Sequence, residues 1–171
     1  MHPVRAQNPR STYSPAFPEE EYALRLKRVR EAMPATQKAW VLTSPALILW
    51  ACGYRVWSLY QTQCIVVYRD GGQLLVVREM DAPGYRGQCP HLSPGEVLCY
   101  GDDLMVGRRG GEVMRRVADL LLDRGIRGVG LDQGEASVSD YLALREQGLR
   151  VDDVSLDVRA LVAVKSRREL C

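Results

Sequence analysis

The stretch with the most chemical character is Gly53–Gln63 (GYRVWSLYQTQ). Tyr54, Trp57 and Tyr60 stand there beside Arg55, Gln61 and Gln63. Aromatic rings with amide groups suit a small polar organic ligand, the rings supplying contact area and the amides fixing orientation. The residues alone favour a plainer reading, in which Trp57 and Tyr60 are boundary positions of a sheet edge. Other chemistry is sparse. The chain has two histidines, His2 and His91, neither in an HxH, HxxxH or HExxH pattern. The acidic pairs Asp102-Asp103 and Asp152-Asp153 sit at strand ends. Neighbouring strand residues point to opposite faces, so neither pair converges on one metal ion. Gly107–Gly111 (GRRGG) lacks the GxxxxGK[ST] pattern and reads as a loop rather than a phosphate cradle. Cys52, Cys64, Cys89, Cys99 and Cys171 form no CxxC pair, which argues against a zinc knuckle or a disulfide framework. Cys52 and Cys64 read as small core residues. No GxSxG elbow is present.

These residues sit in a chain of 171, 46% apolar and 26% charged, with a net charge of +2. That suits one packed domain and excludes a dedicated nucleic-acid or membrane binder. A reducing, cytoplasmic setting is expected. Residues 1–17 read as a disordered leader.

Pro18 with Glu19, Glu20 and Glu21 predicts a helix start. Tyr22, Leu26, Val29 and Met33 then give its apolar stripe, with Arg25, Arg28, Arg30 and Glu31 on the other faces. Residues 38–43 predict a buried strand, and 45–52 a short helix capped by Ser44 and stopped by Gly53. Strands over 59–68 and 73–78 flank Asp70-Gly71, a hairpin signal. A short helix over 81–89, a strand over 97–100 and helix 112–124 follow. A strand over 127–132, a Ser137-capped helix ended by Gly148 and a strand over 150–154 come next. A last helix from about 156 shows no end by Cys171. This order predicts an α/β fold, a mixed sheet of five to six strands with one hairpin and helices on both sides, three layers in all. The order after the hairpin predicts parallel pairing there.

Several stretches together resemble the N-terminal domain of the creatinase/prolidase/Xaa-Pro aminopeptidase family. They are Phe17–Tyr22 with Arg25-Leu26 and Val29-Arg30, then WVLTSP at 40–45, Leu49–Tyr54, Val129–Asp132, and Lys165-Ser166 with Glu169-Leu170. Residues 53–64 and the following REMDAPG run are most similar to ectoine-hydrolase-like and creatinase-like members. The resemblance implies a domain over 18–158 and, over 159–171, the start of a connecting helix to a metal-binding catalytic domain that this chain does not carry. It implies that the chain is inert alone. Joined to that domain, it would cleave a C–N bond in a small polar nitrogen compound or an Xaa-Pro peptide. The resemblance places any divalent ion (Mn, Zn or Co) in the catalytic domain, and implies a homodimer or a catalytic-domain partner. It makes Trp57, Tyr60, Gln61 and Gln63 substrate-framing candidates, shifting the weight of that segment toward function. One departure is Val162, where the family usually has an arginine three residues before Lys165. A stand-alone small-molecule or protein-binding module of the same fold is the alternative. An unrelated α/β enzyme would need His91 and several carboxylates to share one cleft.

Overall fold

The computed structural model describes residues 15–104 and 111–170. Most of the leader, His2 included, lies outside these residues, as do Gly107–Gly110 and Cys171. Six strands form one sheet: β1 (Ala39–Leu42), β2 (Cys64–Tyr68), β3 (Gln73–Arg78), β4 (Val97–Tyr100), β5 (Gly128–Leu131) and β6 (Arg150–Asp153). Their order across the sheet is β4-β3-β2-β1-β5-β6. β2 pairs antiparallel with β1 and β3, while β1–β5, β3–β4 and β5–β6 are parallel. β2 therefore runs against the other five, and their carboxyl ends gather along one border of the sheet.

The apolar runs are continuous in the central strands because both faces are covered. Trp40 and Leu42 of β1 enter one core with Ile65, Val67, Leu75 and Val77. Against that face pack α1 (Glu19–Ala32), α2 (Pro45–Cys52), α3 (Ala82–Gln88) and α6 (Ser155–Ala163). Ala39 and Val41 enter the opposite core, under α4 (Glu112–Asp123) and α5 (Val138–Glu146). Three layers result, and the expected α/β class stands. Cys52 and Cys64 are fully buried in these cores.

The hairpin turns at Gly71 and Gly72, with φ of 113° and 77°, values that only glycine adopts without strain. Several expectations need correction. The first hairpin strand begins at Cys64 rather than residue 59, because residues 59–63 turn across the end of the sheet. Parallel pairing holds for β5–β6, but β4 and β5 are not neighbours. The chain crosses from one sheet edge, through α4, to pair β5 with β1. Pro18 is the cap of α1 rather than its first residue. Ser44 makes no side-chain cap on α2. The carboxylate of Asp132, at the end of β5, instead accepts from the Thr43 and Ser44 N–H groups at 2.9 and 3.0 Å and from Thr43 Oγ1 at 2.8 Å.

Arg25 is not on an outward face. It is 2% exposed, and its Nε donates to Glu21 at 2.9 Å. Its Nη1 donates to the Trp50 carbonyl at 2.8 Å, and Nη2 lies 3.5 Å from Glu169. The guanidinium stacks 4.3 Å from the Phe17 ring centroid. The last helix also has an end. α6 stops at Ala163 because side chains take its terminal carbonyls: Arg28 bonds Leu161 O and Val164 O, and Lys165 bonds Val162 O. A separate 3-10 turn follows, closed by reciprocal Ser166–Glu169 bonds.

Candidate functional site

The border where the strand ends gather carries a cleft of about 400 Å³. Crevices outside the carboxyl ends of strands are where open α/β sheets bind ligands. One wall is the segment between α2 and β2. Four other pieces complete it: Thr43 and Pro45 after β1, Leu104 after β4, the start of α4, and residues 135–140 after β5.

The segment from 54 to 63 has no regular structure, so its shape depends on side chains anchored from below. Arg78, at the end of β3 and 6% exposed, donates from Nη1 to the Tyr60 hydroxyl at 3.1 Å and from Nε to Asp102 at 2.9 Å. That bond holds the Asp102 carboxyl below its usual range. Tyr100, at the end of β4, donates its hydroxyl to the Thr62 carbonyl at 2.7 Å. Burial, chiefly, pushes the Tyr100 phenol up, so it stays a donor at any physiological pH. Thr62 Oγ1 in turn donates to Asp140 Oδ1 at 3.0 Å. Gln63 Nε2 donates to Asp81 at 3.2 Å, and the Arg55 N–H is taken by buried Gln88 at 2.7 Å. Each anchor comes from a different element, which makes the segment a scaffolded wall rather than a loose loop.

Tyr60, Gln61 and Gln63 share the cleft. Trp57 does not line it. Its indole lies over Gly84 of α3, where an added Cβ would sit 3.6 Å from the ring nitrogen. Trp57 and Tyr60 are 57% and 75% exposed, whereas Gln63 is 3% exposed. His91 is elsewhere, stacked on Tyr22 with centroids 4.9 Å apart, in a separate cleft that it shares with Glu19 and Glu96. Among the described residues no three His, Cys, Asp or Glu side chains converge as a metal site requires. They do not fit the Mn, Zn or Co ion that the resemblance implies.

No protein-family profile matches the chain. An ectoine hydrolase of Halomonas elongata is 29% identical over 161 residues, which are 90% of this chain and 40% of that protein. The chain thus spans well under half the length of the curated relative it matches. Solved structures carry the comparison further. A proline dipeptidase from Streptococcus pneumoniae superposes with a TM-score of 0.66 at 13% identity, over 82% of this chain and 98% of that one. The N-terminal domain of the cytoplasmic peptidase PepQ of Mycobacterium tuberculosis gives 0.63 at 17% identity, over 81% and 98%. The dipeptidase PepE of Mycobacterium ulcerans gives 0.67 at 19% identity, over 90% of this chain but 40% of that one. This is a creatinase/prolidase N-terminal fold.

Within this creatinase-like domain, Thr62, Arg78, Tyr100 and Asp140 were not singled out from the sequence. Asp140 had a signal, since Ser137-x-x-Asp140 is a capping pattern. Ser137 does cap α5, accepting from Asp140 N at 3.1 Å and donating to Asp140 Oδ2 at 2.7 Å. Arg78 had none, being a charged residue closing an apolar strand. Asp102, expected only at a strand end, opens a 3-10 turn and also anchors Arg78. Asp153 caps the start of α6 through Ser155 N at 2.9 Å. Asp152 accepts from Gln37 at 3.0 Å, so both of that pair are structural.

Proposed function

We propose that this creatinase-like domain is a non-catalytic unit of a metal-dependent C–N hydrolase. It frames a small polar nitrogen compound or an Xaa-Pro peptide for a catalytic domain and associates with a second copy or with that domain. The cleft is the observation that carries this reading. A fold by itself says nothing of function, but here the fold presents a polar cleft at its strand ends, walled by the Tyr60–Gln63 segment. Trp57 and Tyr60 supply aromatic area at the surface, and Gln61 and Gln63 supply orienting amides. Such groups hold a substrate in a reactive pose without touching the bond that breaks. The names of the relatives, an ectoine hydrolase and proline dipeptidases, support the substrate class. No helix of the described residues is long and apolar enough to cross a membrane.

The test pairs turnover with association. The purified chain, given Mn²⁺, Zn²⁺ or Co²⁺ in turn, should hydrolyse none of ectoine, creatine and Xaa-Pro dipeptides. Sedimentation should show a dimer, or a complex when a separately produced catalytic domain is added. Metal-dependent turnover by the chain alone would overturn the non-catalytic assignment. A monomer indifferent to the catalytic domain would overturn the association.

A further inference from the structure

We infer that the opposite border of the sheet holds a second site, one that takes phosphate or a small organic phosphate ester. It is independent of the framing role proposed above. β1 and β5 begin at this border and β2 ends there, around a groove of about 640 Å³. That size suits a small ligand. Lys38 precedes β1 and Arg69 follows β2, brought together by a bond from Arg69 N to the Lys38 carbonyl at 2.9 Å. Arg124 caps the end of α4, and Gly125, at φ 71°, then turns the chain toward β5. All three line the groove with Tyr68, Asp70 and Ile126. Three cations thus share the wall with one carboxylate.

The cations are held in place but not neutralised. The Arg124 guanidinium sits 4.2 Å from the Tyr68 ring centroid. Arg69 donates from Nη1 to the Met33 and Pro34 carbonyls, neutral acceptors that leave Nε and Nη2 for a ligand. Among the described residues, none of the three cations makes an ion pair. Residues 1–14, 105–110 and 171 contain no aspartate or glutamate, so no side chain there supplies the missing charge. A second observation concerns Tyr68, which lines the groove although it is only 2% exposed. Its hydroxyl makes no hydrogen bond among the described residues. Burial, chiefly, pushes the phenol above its ordinary pKa, so the O–H remains a donor. Against these donors the wall's side chains offer one anionic acceptor, Asp70. A dianion answers the excess of charge and of donors together, and guanidinium forks match phosphate oxygens. A monocarboxylate answers only part of the charge.

Inorganic phosphate, phenyl phosphate and acetate are each titrated into the purified chain at an ionic strength fixed with sodium chloride, and followed by ¹H–¹⁵N NMR. Both phosphates should give saturable shifts at the amides of residues 38, 68–70 and 124–126, with acetate much weaker. Equal affinities would identify phosphate itself as the ligand. Tighter binding of the ester would identify an organic phosphate whose apolar part lies on Ile126. Lys38→Glu and Arg124→Glu change exposed side chains, and each should weaken binding about tenfold or more. Asp70→Asn, which a turn accepts, should tighten it. Arg159→Glu, at the other border, changes the net charge equally and should leave the affinity within about twofold. No saturable shift from either phosphate would overturn the inference and leave the framing role standing. Acetate binding as tightly as phosphate would also overturn it, as would undiminished binding in Lys38→Glu. So would an equal loss in Arg159→Glu, since the attraction would then be one of net charge.

Discussion

Arg25 offers the sharpest test of how this domain is held together. The side chain reaches three acceptors in different directions: Glu21 on its own helix, the Trp50 carbonyl at the end of α2, and Glu169 in the closing turn. Replacing it with alanine strands the Glu21 carboxylate, whose side chain is 4% exposed, without a counter-charge. It also removes the side-chain donor from the Trp50 carbonyl. Breaking a buried pair by deleting one partner costs about 3–5 kcal/mol, against a total stability of about 5–15 kcal/mol for a domain. With a urea slope of about 2 kcal/mol/M, the midpoint should fall by about 1.5–2.5 M. Arg25→Lys should recover only part of this, because one ammonium cannot serve three separated acceptors. The decisive variant is Arg25→Met with Glu21→Gln, which removes both charges. It should be clearly more stable than Arg25→Met alone, since the stranded carboxylate is the main cost. Urea unfolding followed by circular dichroism measures all four. A midpoint for Arg25→Ala within about 0.3 M of the parent, or a double variant no better than the single one, would refute the reasoning.

Three further outcomes follow from the packing. Gly130→Ala should cost about 1–3 kcal/mol in thermal unfolding, because its Cβ would meet Trp40 Cδ1 and Val154 Cγ1 at 2.6 Å. Asp132→Asn should cost about 1–3 kcal/mol by the same assay, since the amide nitrogen would confront backbone donors that now face an acceptor. This should hold even though burial raises the Asp132 pKa; a neutral or stabilising result would show that desolvation outweighs the bonds. Burial holds the His91 imidazole below its usual value of 6.5, against the opposing pull of Glu19 and Glu96. The unfolded chain therefore takes up the proton first. The stabilisation is complete above pH 6.5 and is lost as pH falls toward the folded value. His91→Phe, which keeps a ring against Tyr22, should show a shallower decline of the urea midpoint between pH 7 and 5.

The fold was legible where one rule acted alone. Asp70-Gly71-Gly72 between two β-branched runs left little but a hairpin, and Gly53, Gly125 and Gly148 marked helix ends by taking positive φ. The α4 stripe of Val113, Val117 and Leu121 likewise had one buried face to find. Where two demands met, local rules lost. Arg25 sits at helical spacing from Glu21, which reads as a solvent-exposed pair. Only the tertiary contacts with Trp50, Phe17 and Glu169 turn the pair inward. The end of α6 was invisible for a related reason. Two of the bonds that finish it come from Arg28, more than 130 residues away.

The site shows the same division more strongly. Tyr60, Gln61 and Gln63, chosen because their residue types suit a polar ligand, line the cleft. Trp57 was chosen on the same ground, yet packs over Gly84 instead of lining the cleft. Residue type reports what a side chain can do, but not which neighbour claims it first. The groups that decide the outcome, Arg78 beneath Tyr60 and Asp140 beneath Thr62, lie 18 and 78 residues away from what they hold. They meet because β3 and β5 both end at the border where the chain enters β2. A sequence shows such a partnership only once the order of strands in the sheet is known. For this reason the bond from Thr62 to Asp140 emerges from the topology, where in the sequence Asp140 is simply the fourth residue of a capping pattern.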